Sequence, residues 1–192
     1  MDTPAEFLEA YEAPFYLGID PGATGGLGLL SSCGQGLVLD IPVETIKRKG
    51  GTTSIADHPK IIELFDEFES ILYPASMLIC LEIAQVQVHG KGNNAYTGFR
   101  VAQHYAMWPL FLKDRGYPLI EVNPQSWKPE MGFTGWDKEQ MRLHALSLFP
   151  HVEGLERKSD HNRAEALLLA LYRKQNKDEP IRNSRSRTRR KS

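Results

Sequence analysis

The sequence has few cysteines, no long apolar run and no basic residue near its N-terminus, and each absence excludes a class of protein. Its two cysteines are Cys33 and Cys80, and Cys80 lies in an apolar run, so a disulfide-stabilised secreted domain is not expected. No apolar run approaches the ~20 residues of a membrane-spanning helix. Residues 1–12 contain four acids and no base, which argues against secretory and organelle-import signals. We therefore expect an intracellular, reducing location and no membrane partner. For a bacterial or viral protein this location would be cytoplasmic or nucleoid-associated. An organelle is expected only if a transit peptide precedes this sequence.

Positive charge is concentrated near the C-terminus, although the net charge is only −1. Residues 181–192 carry six Arg or Lys and no acid, and they contain too few apolar residues to fold. Such a tail favours salt-sensitive contacts with nucleic-acid phosphates, with solubility or targeting as the alternatives. With 41% hydrophobic residues, the rest of the chain can form one domain with a core. We predict an acidic segment over residues 1–13, a folded domain over 14–176 and a disordered basic tail over 177–192.

The order of the predicted elements indicates an α/β fold with a mixed five-stranded sheet flanked by helices. Strands are expected over residues 15–20, 27–30, 37–43, 77–83 and 118–122. Helices are expected over residues 57–72, 96–115, 137–149 and 161–174. Asp57 or Ser54 would cap the first helix, Pro109 would kink the second, and Gly116 would end it. The segment 44–56 is expected to be a mobile loop.

Acidic residues stand where predicted strands end or where the last helix begins. Asp20 follows an apolar strand and precedes Pro21-Gly22, and Glu82 interrupts an otherwise apolar run. A buried strand-end carboxylate costs several kcal/mol unless it is paired or bound to metal. Asp160 and Glu165, with His161 between them, open the last helix. The alternatives are a turn role for Asp20 and a helix-dipole role for Asp160.

Together these acids predict a divalent-cation site. Mg²⁺ prefers oxygen ligands, and two such ions roughly 3.5–4 Å apart stabilise the attacking and leaving oxygens of a phosphodiester displacement. The expected metal ligands are Asp20, Glu82, Asp160 and Glu165. No Cys/His spacing suggests zinc.

Five motifs resemble those of RuvC-type Holliday junction resolvases, in the ribonuclease H-like superfamily, and particularly of the chloroplast-type branch. They are Gly18-Ile19-Asp20-Pro21, Leu81-Glu82, Tyr96-Thr97-Gly98-Phe99, Ser126-Trp127-Lys128 and Asp160-His161-Asn162-Arg163-Ala164-Glu165-Ala166-Leu167. The resemblance covers about residues 15–172. The last motif differs from that of bacterial RuvC proteins. Those proteins have two Asp residues three positions apart, whereas here Asp160 and Glu165 are five positions apart. Which of Asp160, His161 and Glu165 binds metal therefore stays open.

The resemblance implies a homodimer that resolves four-way junction DNA by paired symmetric nicks. Water activated by two Mg²⁺ ions, for which Mn²⁺ can substitute, would attack the phosphorus and leave 5′-phosphate and 3′-hydroxyl ends. No small-molecule cofactor is implied. His161 and Lys128 join the acids as expected catalytic residues, with Lys128 near the scissile phosphate; an ordinary surface lysine is the alternative.

Basic and aromatic residues elsewhere are candidate DNA contacts. The expected contacts with backbone phosphates are Lys47, Arg48, Lys49, Lys91 and Arg163. Tyr96 and Phe99 would stack on bases opened at a junction centre. Solvated charges and core aromatics are the respective alternatives.

The sequence leaves three alternatives to a resolvase. Another ribonuclease H-like nuclease, acting on an RNA–DNA hybrid or as an exonuclease, is the nearest. A nucleotide-hydrolysing domain of the actin–hexokinase type opens with a similar Gly-Ile-Asp-x-Gly pattern, but 192 residues leave no room for its second domain, and the pattern does not explain Glu82. The four acids argue against a non-catalytic nucleic-acid-binding protein.

Overall fold

The computed structural model describes residues 3–22, 24–48, 51–85 and 95–178, apart from the side chains of Arg48, Ala95, Tyr96, Thr97 and Arg100. The helices are α1 (Pro4–Ala10), α2 (His58–Ile71), α3 (Ala95–Asp114), α4 (Pro124–Glu130), α5 (Lys138–Leu148) and α6 (His161–Gln175). The strands are β1 (Phe15–Asp20), β2 (Gly26–Leu30), β3 (Gly36–Asp40), β4 (Val43–Arg48), β5 (Gly51–Ala56), β6 (Met77–Glu82) and β7 (Leu119–Val122). The predicted tail beyond residue 178 lies outside the described residues.

A mixed five-stranded sheet with the order β3-β2-β1-β6-β7 forms the centre of the protein. Strands β1, β2 and β3 pair antiparallel, whereas β6 is parallel to β1 and β7 is parallel to β6. Helices cover both faces. This confirms the predicted α/β class, with a mixed five-stranded sheet flanked by helices.

The loop predicted over residues 44–56 is wrong for its described residues, because 44–48 lie in β4 and 51–56 form β5. The two strands pair antiparallel from Val43 opposite Ala56 to Arg48 opposite Gly51. They are rich in β-branched Val, Thr and Ile, which favour extended backbone, although their polar composition obscured the pattern. We call this two-stranded hairpin the ribbon.

The sequence analysis also did not predict two short helices, α1 and α4. Thr3 and Glu6 form a capping box at the start of α1, whose Phe7 and Leu8 are buried in the core. Asn123 caps α4 by accepting a hydrogen bond from the backbone N–H of Gln125. The latter helix matters for the site because it carries Trp127 and Lys128.

The helix boundaries follow the predicted caps. Asp57, rather than Ser54, caps α2 and accepts a hydrogen bond from the Lys60 amide at 3.3 Å. Helix α3 continues through Pro109, and Gly116, with φ of 80°, lies where the chain leaves the helix. Cys80 is fully buried and Cys33 is exposed, both as free thiols.

Side-chain alternation divides the sheet into two faces. Odd-numbered residues of β1 and β6, such as Leu17 and Ile79, pack in one core with α1, α2 and α3. Even-numbered residues, such as Tyr16 and Cys80, face α4, α5 and α6. Asp20 and Glu82 are both even-numbered, so the pleat places the two acids on the α6 face.

Two glycines let α6 lie directly against the sheet. A Cβ atom on Gly18 would lie 2.0 Å from the Ala166 carbonyl oxygen, and one on Gly28 would lie 2.3 Å from the Leu167 nitrogen. Both distances are far below van der Waals contact, so no larger residue fits unless α6 moves. The helix that carries Glu165 is thereby fixed against the strand that carries Asp20.

Within the described parts of the chain, no helix combines the length and apolar character needed to cross a bilayer.

Candidate active site

Asp20 and Glu82 lie at neighbouring strand ends. β1 and β6 run parallel with Ile19 opposite Leu81, so the next residue on each strand is one of the two acids. Both are at the carboxyl edge of the sheet, where open α/β sheets commonly bind ligands. The Gly22 amide donates a hydrogen bond to Asp20 Oδ1 at 3.4 Å.

Helices α6 and α4 add a third carboxylate and a cation to this pair. Glu165, which is 5% exposed, lies one turn into α6, and its Oε1 forms an ion pair with Lys128 Nζ. The charges of Glu165 and Lys128 act on both Asp20 and Glu82. We call Asp20, Glu82, Glu165 and Lys128 the acidic cluster.

The acidic cluster has too little positive charge for three ionised carboxylates. Burial, reinforced by the charge of Glu165, raises the pKa of Asp20 from 3.8 to about 6. The same two causes, in the same order, raise the pKa of Glu82 from 4.5 to about 8. Burial by itself would lower the pKa of Lys128, but the carboxylates, Glu165 first, outweigh it and raise that pKa.

Trp127 is a site residue for which the sequence predicted no role of its own. It is fully buried, and its Nε1 donates a hydrogen bond to Glu82 Oε2 at 2.7 Å. The bond holds the carboxylate and favours its ionised form. The Ser126-Trp127-Lys128 motif placed the tryptophan near the site, but sequence alone did not indicate its partner.

Asp160 and Glu165, both expected to bind metal, have different surroundings. Asp160 is also buried, but its carboxylate accepts a hydrogen bond from the Arg157 amide at 2.8 Å and pairs with Arg157 Nε at 3.4 Å. Among the acids that open α6, it is Glu165 whose charge raises the pKa of Asp20 and Glu82. The structure thus associates Glu165 with the strand-end acids and Asp160 with Arg157.

His161 and Arg163 line a cavity at the start of α6. His161 Nδ1 is 3.1 Å from the Lys158 carbonyl oxygen. Arg163 forms a two-pronged ion pair with Asp40 at the end of β3, with Nε donating to Oδ1 at 2.6 Å. Arg163 is therefore already paired in the absence of DNA.

The other expected DNA contacts are scattered. Lys47 is exposed on the ribbon, and Phe99 is 66% exposed on α3. Lys49 and Lys91 lie outside the described residues, as do the side chains of Arg48 and Tyr96. The DNA-binding role of each stays a prediction.

The donor chemistry of the acidic cluster fits a divalent cation. Among the described residues, no three or more Asp, Glu, His or Cys side chains are already arranged to hold a metal ion. Even so, one buried carboxylate, Glu165, and two half-buried ones, Asp20 and Glu82, share one ammonium group, and the latter two have raised pKa values. Carboxylate oxygens are the ligands that Mg²⁺ prefers, and its two charges would offset the excess negative charge.

Two solved structures of a Thermus thermophilus protein are similar to this one. The first, described as RuvC in complex with Holliday junction substrate, has 16% identity and a TM-score of 0.49 over 82% of this chain and 91% of that chain. The second, described as the RuvC structure, has 19% identity and a TM-score of 0.49 over 82% and 92%. No protein-family model matches the sequence, and no curated protein matches it. Because both TM-scores are below 0.5, we draw no functional conclusion from these likenesses.

Proposed function

We propose that this protein is a metal-dependent endonuclease that cuts four-way DNA junctions. The acidic cluster is the observation that carries the proposal, because one buried and two half-buried carboxylates that share a single ammonium partner are costly unless they bind cations. The junction substrate and the finer resemblance to the chloroplast-type branch rest on the sequence motifs.

The carboxylates of the acidic cluster, its lysine and the neighbouring Trp127 have different tasks in this proposal. Asp20, Glu82 and Glu165 would hold the divalent cations, which supply an activated water and neutralise charge on the phosphate. Trp127 keeps the Glu82 carboxylate oriented through its indole N–H. Lys128, which now pairs with Glu165, would exchange that partner for a non-bridging phosphate oxygen when DNA is bound.

We also propose that two copies associate through α3, so that two active sites nick strands symmetrically. Phe99 and Leu110 are 66% and 75% exposed, and Ala102 and Ala106 are exposed between them on the same side of the helix. A contiguous apolar helix face of small and large residues suits packing against its own copy. Leu110→Glu should give a monomer by analytical ultracentrifugation with an unchanged circular dichroism spectrum; a variant that still dimerises would refute this surface.

Cleavage of labelled DNA tests the catalytic proposal. Wild-type protein with Mg²⁺ should nick a four-way junction at symmetric positions and leave linear duplex and RNA–DNA hybrid intact. Glu82→Gln should abolish cleavage yet bind the junction at least as tightly, since a phosphate-repelling charge is removed.

The matched control is Glu121→Gln. Glu121 is a carboxylate on β7 that pairs with Lys113 and Tyr105, away from the acidic cluster, so this variant should cut normally. Wild-type rates in Glu82→Gln would refute the active-site assignment. Cleavage of the hybrid in place of the junction would instead identify a different ribonuclease H-like nuclease.

A further inference from the structure

A groove of about 470 Å³ lies between the ribbon and the start of α6. Its floor includes Thr24 and Gly25, in the turn that follows Asp20, and one wall includes Ser159 and Asn162. Asn162 Nδ2 donates hydrogen bonds to the carbonyl oxygen and the hydroxyl of Thr24, which ties the turn to α6. The groove is within the ~300–1,000 Å³ range of ligand sites.

The second wall of the groove is one face of the ribbon. Val43 and Ser54 line the groove, and the strand pairing places Thr45, Lys47 and Thr52 on that same face. Glu44, the one acid of the ribbon strands, is on the opposite face with Ile55, where both line a different cavity. The face toward the groove thus carries hydroxyls and a lysine but no carboxylate.

The charges on the α6 wall are internally balanced. Arg163 pairs with Asp40, and Arg157 pairs with Asp160, so each carboxylate in the groove already has a guanidinium partner. The other polar groups that line the groove are the hydroxyls of Thr24, Ser54 and Ser159, the Asn162 amide and the His161 imidazole. Groups of this kind, with lysine, are the usual contacts of proteins with the sugar–phosphate backbone of DNA.

We propose that the groove between the ribbon and α6 binds the sugar–phosphate backbone of the DNA strand that enters the active site. The inference rests on the proposed function, because the bound strand is the one that the acidic cluster cuts. The ribbon then positions the strand without reading its bases, since backbone contacts carry no sequence information.

The salt dependence of junction binding tests the groove. Affinity is measured by fluorescence anisotropy in EDTA, where no cleavage occurs, on two four-way junctions of different base sequence. Lys47→Gln should lower the slope of log K against log salt by about 0.9, the value for one lost phosphate contact, and equally on both junctions. Lys60→Gln is the matched control, because Lys60 lies on α2, outside the ribbon, and pairs with Asp57.

Introducing a negative or a positive charge at one exposed position separates an electrostatic effect on DNA binding from a folding defect. Thr45→Glu should weaken binding, whereas Thr45→Lys should tighten it and raise the salt slope by about 0.9. Slopes and affinities unchanged in the Lys47 and Thr45 variants, with wild-type protein still binding and cutting junctions, would overturn the groove alone. A wild-type protein that neither binds nor cuts junctions would overturn the proposed function and the groove with it.

Discussion

The two faces of the five-stranded sheet differ in how closely the helices approach the strands. On one face, large rings fill the space: Phe65 is fully buried and meets the rings of Trp108 and Tyr117 at centroid distances of 6.2 and 5.5 Å. On the other face, α6 approaches so closely that Gly18 and Gly28 have no room for a side chain. Rings also pack on this second face, such as Trp127 with Tyr172 at 6.2 Å, but where α6 crosses β1 and β2 the helix contacts the strand backbone directly.

The difference explains why the acidic cluster lies on the α6 face. A helix separated from the sheet by aromatic rings can shift when the rings repack, but one seated on glycine backbone has no such freedom. In the proposed function, Glu165 must stay beside Asp20 and Glu82 to share cations with them. The tightly packed face therefore fixes the site, and the aromatic face contributes stability at a distance from it.

The largest expected effect comes from breaking the close approach of α6. Gly28→Ala places a Cβ 2.3 Å from the Leu167 nitrogen, so α6 must move, and we expect a loss of about 3 kcal/mol or more in the free energy of unfolding. Leu29→Met is the control on the aromatic face of the same strand, and it should cost less than about 1.5 kcal/mol. Urea denaturation measures both. Equal losses would contradict the comparison of the two faces.

The next effect separates the two acids that open α6. Glu165→Gln should lower turnover about a hundredfold, equal to about 2.7 kcal/mol in the barrier, and raise the Mg²⁺ concentration needed for cleavage. Asp160→Asn should leave the Mg²⁺ requirement unchanged, because Asp160 pairs with Arg157. Single-turnover cleavage of a junction over a Mg²⁺ titration distinguishes them. A raised Mg²⁺ requirement in Asp160→Asn would make Asp160 a ligand as well.

A smaller effect is expected on the metal-free protein. An acid whose pKa is raised by folding binds its proton more tightly in the native state, so its contribution makes stability fall as pH rises. For Glu82 the fall extends from about pH 4.5 to about pH 8. In EDTA at pH 8, Glu82→Gln should therefore be more stable than wild type by about 1.4 kcal/mol or more, the value of one pKa unit.

Two conditions check that this gain comes from the charge of Glu82. Near pH 4.5 the gain in stability should shrink, because Glu82 in native wild-type protein is then protonated and carries no charge, like the glutamine of the variant. Excess Mg²⁺ at pH 8 should stabilise wild type more than the variant, which has lost a ligand. Thermal unfolding followed by circular dichroism gives both comparisons. A gain independent of pH would point to packing instead.

Much of this architecture could be predicted because it is local in the sequence. The apolar runs that end in Asp20 and Glu82 gave the two strands, and the alternation of side chains then placed both acids on one face. The mixed five-stranded sheet is confirmed. Gly18 and Gly28 in strand interiors were an unused signal, since glycine there often marks a close backbone approach.

What could not be predicted depends on contacts between distant parts of the chain. Nothing near Lys128 in sequence indicates its ion pair with Glu165, which requires α4 and α6 to meet on one sheet face. The same holds for the bond from Trp127 to Glu82, 45 residues apart. The ribbon was not predicted for another reason: seven of its twelve strand residues are polar or charged, so no apolar alternation is visible in the sequence.

The smallest expected effect compares one buried tryptophan from each face. Trp127→Phe removes the donor to Glu82, which makes that carboxylate harder to ionise, so stability in EDTA should fall more steeply between pH 5 and pH 8 than in wild type. Trp108→Phe on the aromatic face removes similar volume, but Trp108 packs against Phe65 and Phe111, so its loss should be the same at both pH values. The extra loss in Trp127→Phe should stay below about 1.4 kcal/mol, one pKa unit. Melting temperatures at the two pH values measure it, and parallel losses in both variants would show that Trp127 contributes packing alone.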